Sequence, residues 1–388
     1  GKDLRRGADE VQLQLAGRRP NFGDCAPEAT YLAPPPRLFD DTDYLFAERL
    51  YAMTTDAVKR HEYGATVGYL AGDNLDRLRG KHGRNWLLWH AAAPPADGNK
   101  LTANLERRVS GSWIAGMKGL ALLRQSAQSA LLRYGTSLNH GDPDDLAFLY
   151  YANGYELTYD IGYGLGSTHC HVGWASSTVS HALVTVNEKN QLEAAGSGGS
   201  LRGFATLPSV QFVDVDSPLS YTSEGVREFR RALALVGAGY LVDCFRIEGG
   251  DRHDYGFGSI GTALEPFGVQ DMNATPGSLA EGYAWGEKVG ADGDIIGYPN
   301  KPYWNPPPGN GYGFFFNVRH ARPAGKAWGG TWTIASAPKT EPKAIWDTAV
   351  GAATSHATQL RLHLVGDEAE PVFAHAPGLY PRLPLSSY

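Results

Sequence analysis

Residues 139–164 read NHGDPDDLAFLYYANGYELTYDIGYG, and this stretch decides the fold class. Two runs rich in aromatic and aliphatic residues, Leu146–Ala152 and Tyr155–Tyr159, are joined by Asn153-Gly154. Asn-Gly accepts positive φ at both central positions of a tight turn whose twist matches that of the flanking strands, so the stretch spells a β-hairpin. The same texture continues downstream. SHALVTVNEKNQLEAAG (180–196) carries a polar turn at Asn187–Asn190, and GVREFRRALALVGAGYLVDCFRIEGG (225–250) turns at Gly237-Ala238-Gly239. GYGFFFNVRHARP (311–323) reads as a further hairpin, with later strands in GGTWTIASAP (329–338) and TQLRLHLVG (358–366). Many antiparallel strands at short turn spacing predict a large β-sandwich. The stretch 292–312, with Trp304 and the Pro306–Pro308 run, reads as a loop, because proline cannot sit in a central strand.

Upstream the pattern changes. DDTDYLFAERLYAMTTDAVKRH (40–61) has an Asp-rich start suited to an N-cap and apolar residues near one face, which predicts helix. SGSWIAGMKGLALLRQSAQSALLRY (110–134) is apolar but broken by glycines, and predicts a short helix followed by strands. Residues 14–38, rich in Pro and Gly, read as a linker. Composition agrees with the strand-rich reading: 48 glycines in 388 residues accompany 20 Tyr, 14 Phe and 9 Trp. A net charge of −6 gives no global basic field, which argues against nucleic acid, although a local arginine cluster can still hold an acidic polymer. Cys25, Cys170 and Cys244 are too few and too scattered for a disulfide framework or a zinc knuckle. No run reaches the ~18 apolar residues of a membrane helix, so no membrane partner is expected. The chain opens without an initiator Met or an apolar signal core and reads as a mature protein or a fragment.

No phosphate loop, dinucleotide fingerprint, HExxH or nucleophile elbow is present. The polar residues that stand out are His140, Asp142, Asp144 and Asp145, then Asp160, then His169, His171 and His181. Asp142, Asp160 and His181 offer one nitrogen and two oxygen donors near the ends of neighbouring strands, a workable metal set. Equally, Asp142, Asp144 and Asp145 suit the capping of a turn before the strand, with Asp160 bonding backbone amides. Gly249-Gly250-Asp251-Arg252-His253-Asp254-Tyr255 reads either as a general-base pair or as a glycine turn with polar cross-bonds, the second being the simpler.

His140-Gly141-Asp142, Phe148, Tyr151-Ala152-Asn153-Gly154 and Asp160-Ile161-Gly162 together resemble the signature of the heparinase II/III-like polysaccharide lyases. Two further family strands follow in order, Ser180–Val186 and Val242–Gly250 with His253-Asp254-Tyr255, and Asn21-Phe22-Gly23-Asp24 looks like the family's linker. The resemblance spans most of 21–380. It implies an α/α-toroid followed by antiparallel β-sandwich layers, and cleavage of uronate-containing polysaccharide by β-elimination. On this reading 1–125 holds a linker and the last toroid helices, 126–365 the sandwich, and 366–388 the start of a C-terminal β region. The fold class is thus mainly β, a large sandwich preceded by a helical remnant.

The resemblance implies His140 as base or carboxylate neutraliser, Tyr163 as a second catalytic group, and Asn139 and Trp174 as substrate contacts, with Tyr163 and Trp174 equally readable as core aromatics. It implies one structural divalent metal held by Asp142, Asp160 and His181, usually zinc, with manganese or calcium as alternatives. The metal would fix the strands that carry His140. The implied partner is an acidic polysaccharide or oligosaccharide such as alginate or a glycosaminoglycan, with a homo-oligomer as a candidate assembly and a periplasmic or secreted location. Three departures stand out: Asp142 replaces the second His of the family's His-Gly-His, Ala182 replaces an Asn, and Gly258 stands about where the family often has a His. These, with a toroid far shorter than the family's, favour the rival expectation of a non-catalytic carbohydrate-binding or structural sandwich.

Overall fold

The structure, a computed structural model, describes residues 48–71, 111–116, 119–126, 128–136, 141–152, 155–158, 160, 171–193, 198–259, 263–283, 305–334, 358–378 and 385–388. Among these, α-helix is confined to 48–53 and to α1 (Ala57–Ala71), and the rest is organised by antiparallel strands with short helical turns. No helix among the described residues is long and apolar enough to cross a membrane. The Asp-rich start at 40–43 lies outside the described residues. Asp56 caps α1 instead, its Oδ1 accepting the Val58 and Lys59 amides at 3.0 and 3.1 Å.

The first sheet is a meander of β1 (Trp113–Ala115), β2 (Leu120–Gln125), β3 (Gln128–Arg133), β4 (Phe148–Ala152) and β5 (Tyr155–Thr158). Ala152 lies opposite Tyr155, which leaves the two-residue Asn-Gly connection read from sequence. The short helix expected in 110–134 is replaced by strands. Every residue of β3 is buried, and a strand covered on both faces shows no apolar–polar alternation to tell it from helix. Leu123 and Leu132 enter the main core, while Leu122, Leu131 and Leu149 form a second cluster on the opposite face.

A second sheet holds β7 (Ser200–Thr206), β8 (Val210–Asp216), β9 (Glu228–Val236) and β10 (Tyr240–Glu248) in the order β10-β9-β8-β7, and packs through β8 and β9 onto β2 and β3. The Gly237–Gly239 turn is present, with Val236 opposite Tyr240. β6 (Val184–Val186) pairs with β11 (His253–Tyr255) rather than with the residues after Asn190. Asn187 and Glu188 do adopt the expected tight turn, with φ of 53° and 54°, but the chain then leaves to bond elsewhere.

The third layer is one long ladder bent at a corner. β12 (Ala263–Phe267) and β13 (Val269–Ala274) run as one strand against β14 (Phe316–Pro323) and β15 (Ala327–Ile334), and each half belongs to a different sheet. Gly268 makes the bend at φ 66°, where a Cβ would run into the Ala327 carbonyl. The hairpin expected within 311–323 is instead a 3₁₀ turn at Tyr312–Phe314 leading into β14 alone. β16 (Thr358–Val365) extends β15, and β17 (Val372–Pro377) with β18 (Leu385–Ser387) extends β14.

Gln125 faces Gln128 across the β2–β3 turn, β17 pairs with β14 in one sheet, and Tyr388 packs on the main core.

Candidate metal centre

Asp142 sits in the loop between β3 and β4, a segment that backbone bonds wrap tightly. Asp144 N donates to Asp142 O at 2.9 Å, Leu146 N to Arg133 O at 2.8 Å, and Arg133 N to Ala147 O at 3.0 Å. Leu146 takes the left-handed conformation at φ 71° to complete the turn. Asp160 follows β5 by two residues, and His181 follows the 3₁₀ turn Thr178–Ser180. Thr178 joins the segments, its hydroxyl donating to the Pro143 carbonyl at 2.7 Å.

These three side chains meet. One donor atom from each of Asp142, Asp160 and His181 lies within 4.8 Å of the others, and the residues are 2%, 2% and 3% exposed. His181 Nδ1 is 3.0 Å from the Ser177 carbonyl. A carbonyl only accepts, so Nδ1 carries a proton and Nε2 turns its remaining valence toward the carboxylates. Nε2 lies 3.6 Å from Asp142 Oδ2 and 3.6 Å from Asp160 Oδ2, and has no hydrogen-bond partner among the described residues. That spacing is long for a hydrogen bond but near the ~3.3 Å edge of a tetrahedron whose metal–ligand bonds are ~2.0 Å. A backbone carbonyl fixing the far nitrogen is the usual outer support of a metal-binding imidazole.

Electrostatics favour a cation here. Burial opposes a charged His181 ring, yet the two aspartates outweigh it and carry its pKa to about 10. Burial also lifts the Asp142 carboxyl above its ordinary range. Asp144 is spent on an ion pair with Arg133, and Asp145 on the Ser217 and Ser220 hydroxyls at 2.8 and 3.0 Å. So of the clustered aspartates, Asp144 and Asp145 bond Arg133 and two serine hydroxyls rather than turn amides, while Asp142 and Asp160 converge on His181. The residues present fit a divalent ion of the zinc or manganese type, through one imidazole nitrogen and two carboxylate oxygens.

The other candidates part company. Asn139, His140, Tyr163 and His169 lie outside the described residues. Trp174 is a correction: it is 0% exposed, its Nε1 donates to Pro377 O at 2.8 Å, and its ring is packed edge-on by Phe315 and Tyr388 at centroid distances of 5.1 and 5.8 Å. It has no face to offer a sugar and is a core residue. Asp254, in the glycine-turn motif, accepts the Tyr312 hydroxyl at 2.7 Å and the Arg252 guanidinium at 2.9 Å, which makes this motif a cross-strand brace. Sequence reading passed over Arg231, although a signal existed. Phe229, Leu233 and Leu235 alternate inward along β9, and Arg231 stands at the same parity.

No family model matches the chain, and no curated protein does. Solved structures give distant likenesses. A heparinase III is 15% identical over 93% of this chain and 43% of its own, with a TM-score of 0.40. A heparan sulfate lyase from Pedobacter heparinus is 11% identical over 97% of this chain and 45% of its own, with a TM-score of 0.39. A further heparinase III structure is 13% identical over 95% of this chain, with a TM-score of 0.31. The chain spans less than half the length of the first two.

Proposed function

We propose that this chain is the sandwich portion of a polysaccharide lyase that cleaves an acidic, uronate-containing polymer by β-elimination. The observation that carries the reading is the convergence of Asp142, Asp160 and His181, which the motif resemblance groups and which no local pattern would bring together. A bound divalent ion would supply a fixed positive charge that satisfies the buried carboxylates and ties three segments into one unit. Asp142 stands two residues after His140 in the sequence.

In β-elimination a base removes the uronate C5 proton, the electron pair forms the C4–C5 double bond, and the C4–oxygen bond breaks. The departing glycosidic oxygen takes up a proton, and a cationic or hydrogen-bonding group must neutralise the carboxylate for C5 to become acidic. His140 serves as the base or the carboxylate partner, Tyr163 as a proton donor or acceptor, and Asn139 as a substrate contact. The location that goes with such a substrate is periplasmic or extracellular.

The test incubates the full-length gene product with alginate, heparan sulfate, hyaluronan and chondroitin and follows the ultraviolet absorbance of the unsaturated uronate. Product from at least one polymer, abolished in His140→Ala at unchanged melting temperature, supports the reading. The absence of product from every polymer sinks it, and leaves the non-catalytic sandwich that Asp142 in the place of a histidine favours.

A further inference from the structure

We propose that Arg231 is a positioning residue for the metal centre, a buried fork that sets the two ligand-bearing loops of Asp142 and His181 at their working separation. The inference rests on the metal reading of that cluster.

Arg231 projects inward from β9 and is 0% exposed. A guanidinium cannot shed its charge to escape burial, so its partners must supply the compensation. Asp243, on the neighbouring strand β10 and two residues from the Phe245 that faces Arg231, does so in bidentate fashion, with Nε to Oδ1 at 2.9 Å and Nη2 to Oδ2 at 2.6 Å. The Tyr255 hydroxyl donates to the same Oδ2 at 2.8 Å. Phe148 and Phe245 cover the guanidinium with ring centroids at 4.4 and 5.2 Å.

The remaining nitrogen points elsewhere. Nη1 donates to the Leu146 carbonyl at 2.5 Å and to the Ala182 carbonyl at 2.6 Å. Leu146 closes the loop that begins at Asp142 and holds a left-handed conformation, which a side-chain-bearing residue keeps only when its surroundings dictate it. Ala182 is the residue next to His181. One rigid planar cation from a different sheet therefore fixes the spacing of two loops that no β-ladder joins among the described residues. A buried ion pair of this kind adds little net stability over an apolar pair of similar volume, so its effect lies in geometry. Asp243 on β10 and Tyr255, the last residue of the glycine-turn motif, act through Arg231 as its anchors.

Two variants test this. Arg231→Lys keeps the charge but cannot bond Asp243 twice and both carbonyls as well. Arg231→Met combined with Asp243→Asn removes the charges together and leaves the Tyr255 hydroxyl an acceptor. Zinc affinity is measured by competition with a chromogenic chelator, beside the melting temperature with and without chelator. The expected result is a folded variant whose zinc affinity falls about 10–100-fold, with a smaller chelator-induced drop in melting temperature than the wild type shows. A merely structural role would lower both melting temperatures equally and leave affinity unchanged, and that result from either folded variant overturns the inference. A wild type that binds no zinc overturns the metal reading and this inference with it, whereas a wild type that binds zinc with folded variants that bind it equally overturns this inference alone.

Discussion

Asp142 supplies an oxygen where the resembled signature has an imidazole nitrogen, which makes the donor set harder while His181 keeps it within reach of zinc. The consequence is a division of labour among the buried aspartates. Asp160→Ala removes a ligand and leaves the other charges of the cluster uncompensated, so it lowers stability by about 3 kcal/mol, and chelator has little further effect on its melting temperature. Trp174→Ala empties a packed core position and costs about 3–5 kcal/mol, yet leaves metal stoichiometry intact, because Trp174 packs on Phe314, Phe315 and Tyr388 and bonds the Pro377 carbonyl. Elemental analysis beside thermal melts separates the two, and metal loss in the Trp174 variant would contradict the assignment. At this scale what the sequence made legible was the convergence of Asp142, Asp160 and His181, which the motif resemblance groups. The role of Trp174 was not legible, since an aromatic beside a site reads the same whether it faces sugar or core, and only the packing around it decides.

The corner at Gly268 belongs to the scale of elements, because it lets one ladder serve two sheets. Gly268→Ala meets both an unfavourable φ and the Ala327 carbonyl, and lowers stability by more than the ~1 kcal/mol of an ordinary glycine-to-alanine strain. Urea unfolding checks this, and an unchanged midpoint would show that the bend has another cause. β17 gives a pH prediction. Burial, and then the nearby Arg319, hold the His375 pKa below its ordinary 6.5, and Asn317 Nδ2 lies 3.2 Å from His375 Nδ1, where it donates to the unprotonated nitrogen. Protonation in the folded state is thus disfavoured, so the stability His375 contributes is full above about pH 6.5 and is lost as pH falls through the lower folded value. Melts of wild type and His375→Gln across that range show a steeper acid loss for the wild type, and parallel curves would refute the linkage. The hairpins at 148–158 and 228–248 were readable because turn chemistry and strand texture agree there. β2 and β3 were not, because strands buried on both faces lose the alternation on which such reading depends.

Taken whole, the molecule is a stack of antiparallel sheets with a polar knot between the meander and the second sheet. Arg133 and Arg231 approach the loop of residues 142–146 from β3 and β9, Thr178 joins it to the His181 segment, and the Asp142–Asp160–His181 cluster lies at the centre. The overall class was legible from length, glycine and aromatic content and hairpin spacing. Long-range pairings such as β14 with β17 were not, since they leave no local trace in either strand. Buried charges cost stability unless compensated, and here Arg133 and His181 stand among the aspartates. The most direct test is native mass spectrometry of the purified wild-type chain and of Asp160→Ala, with melting temperatures before and after chelation. The account predicts one divalent metal ion bound to the wild type, none to the variant, and a fall in melting temperature when chelator strips the wild type. A wild type that is folded, metal-free and indifferent to both zinc and chelator would contradict it.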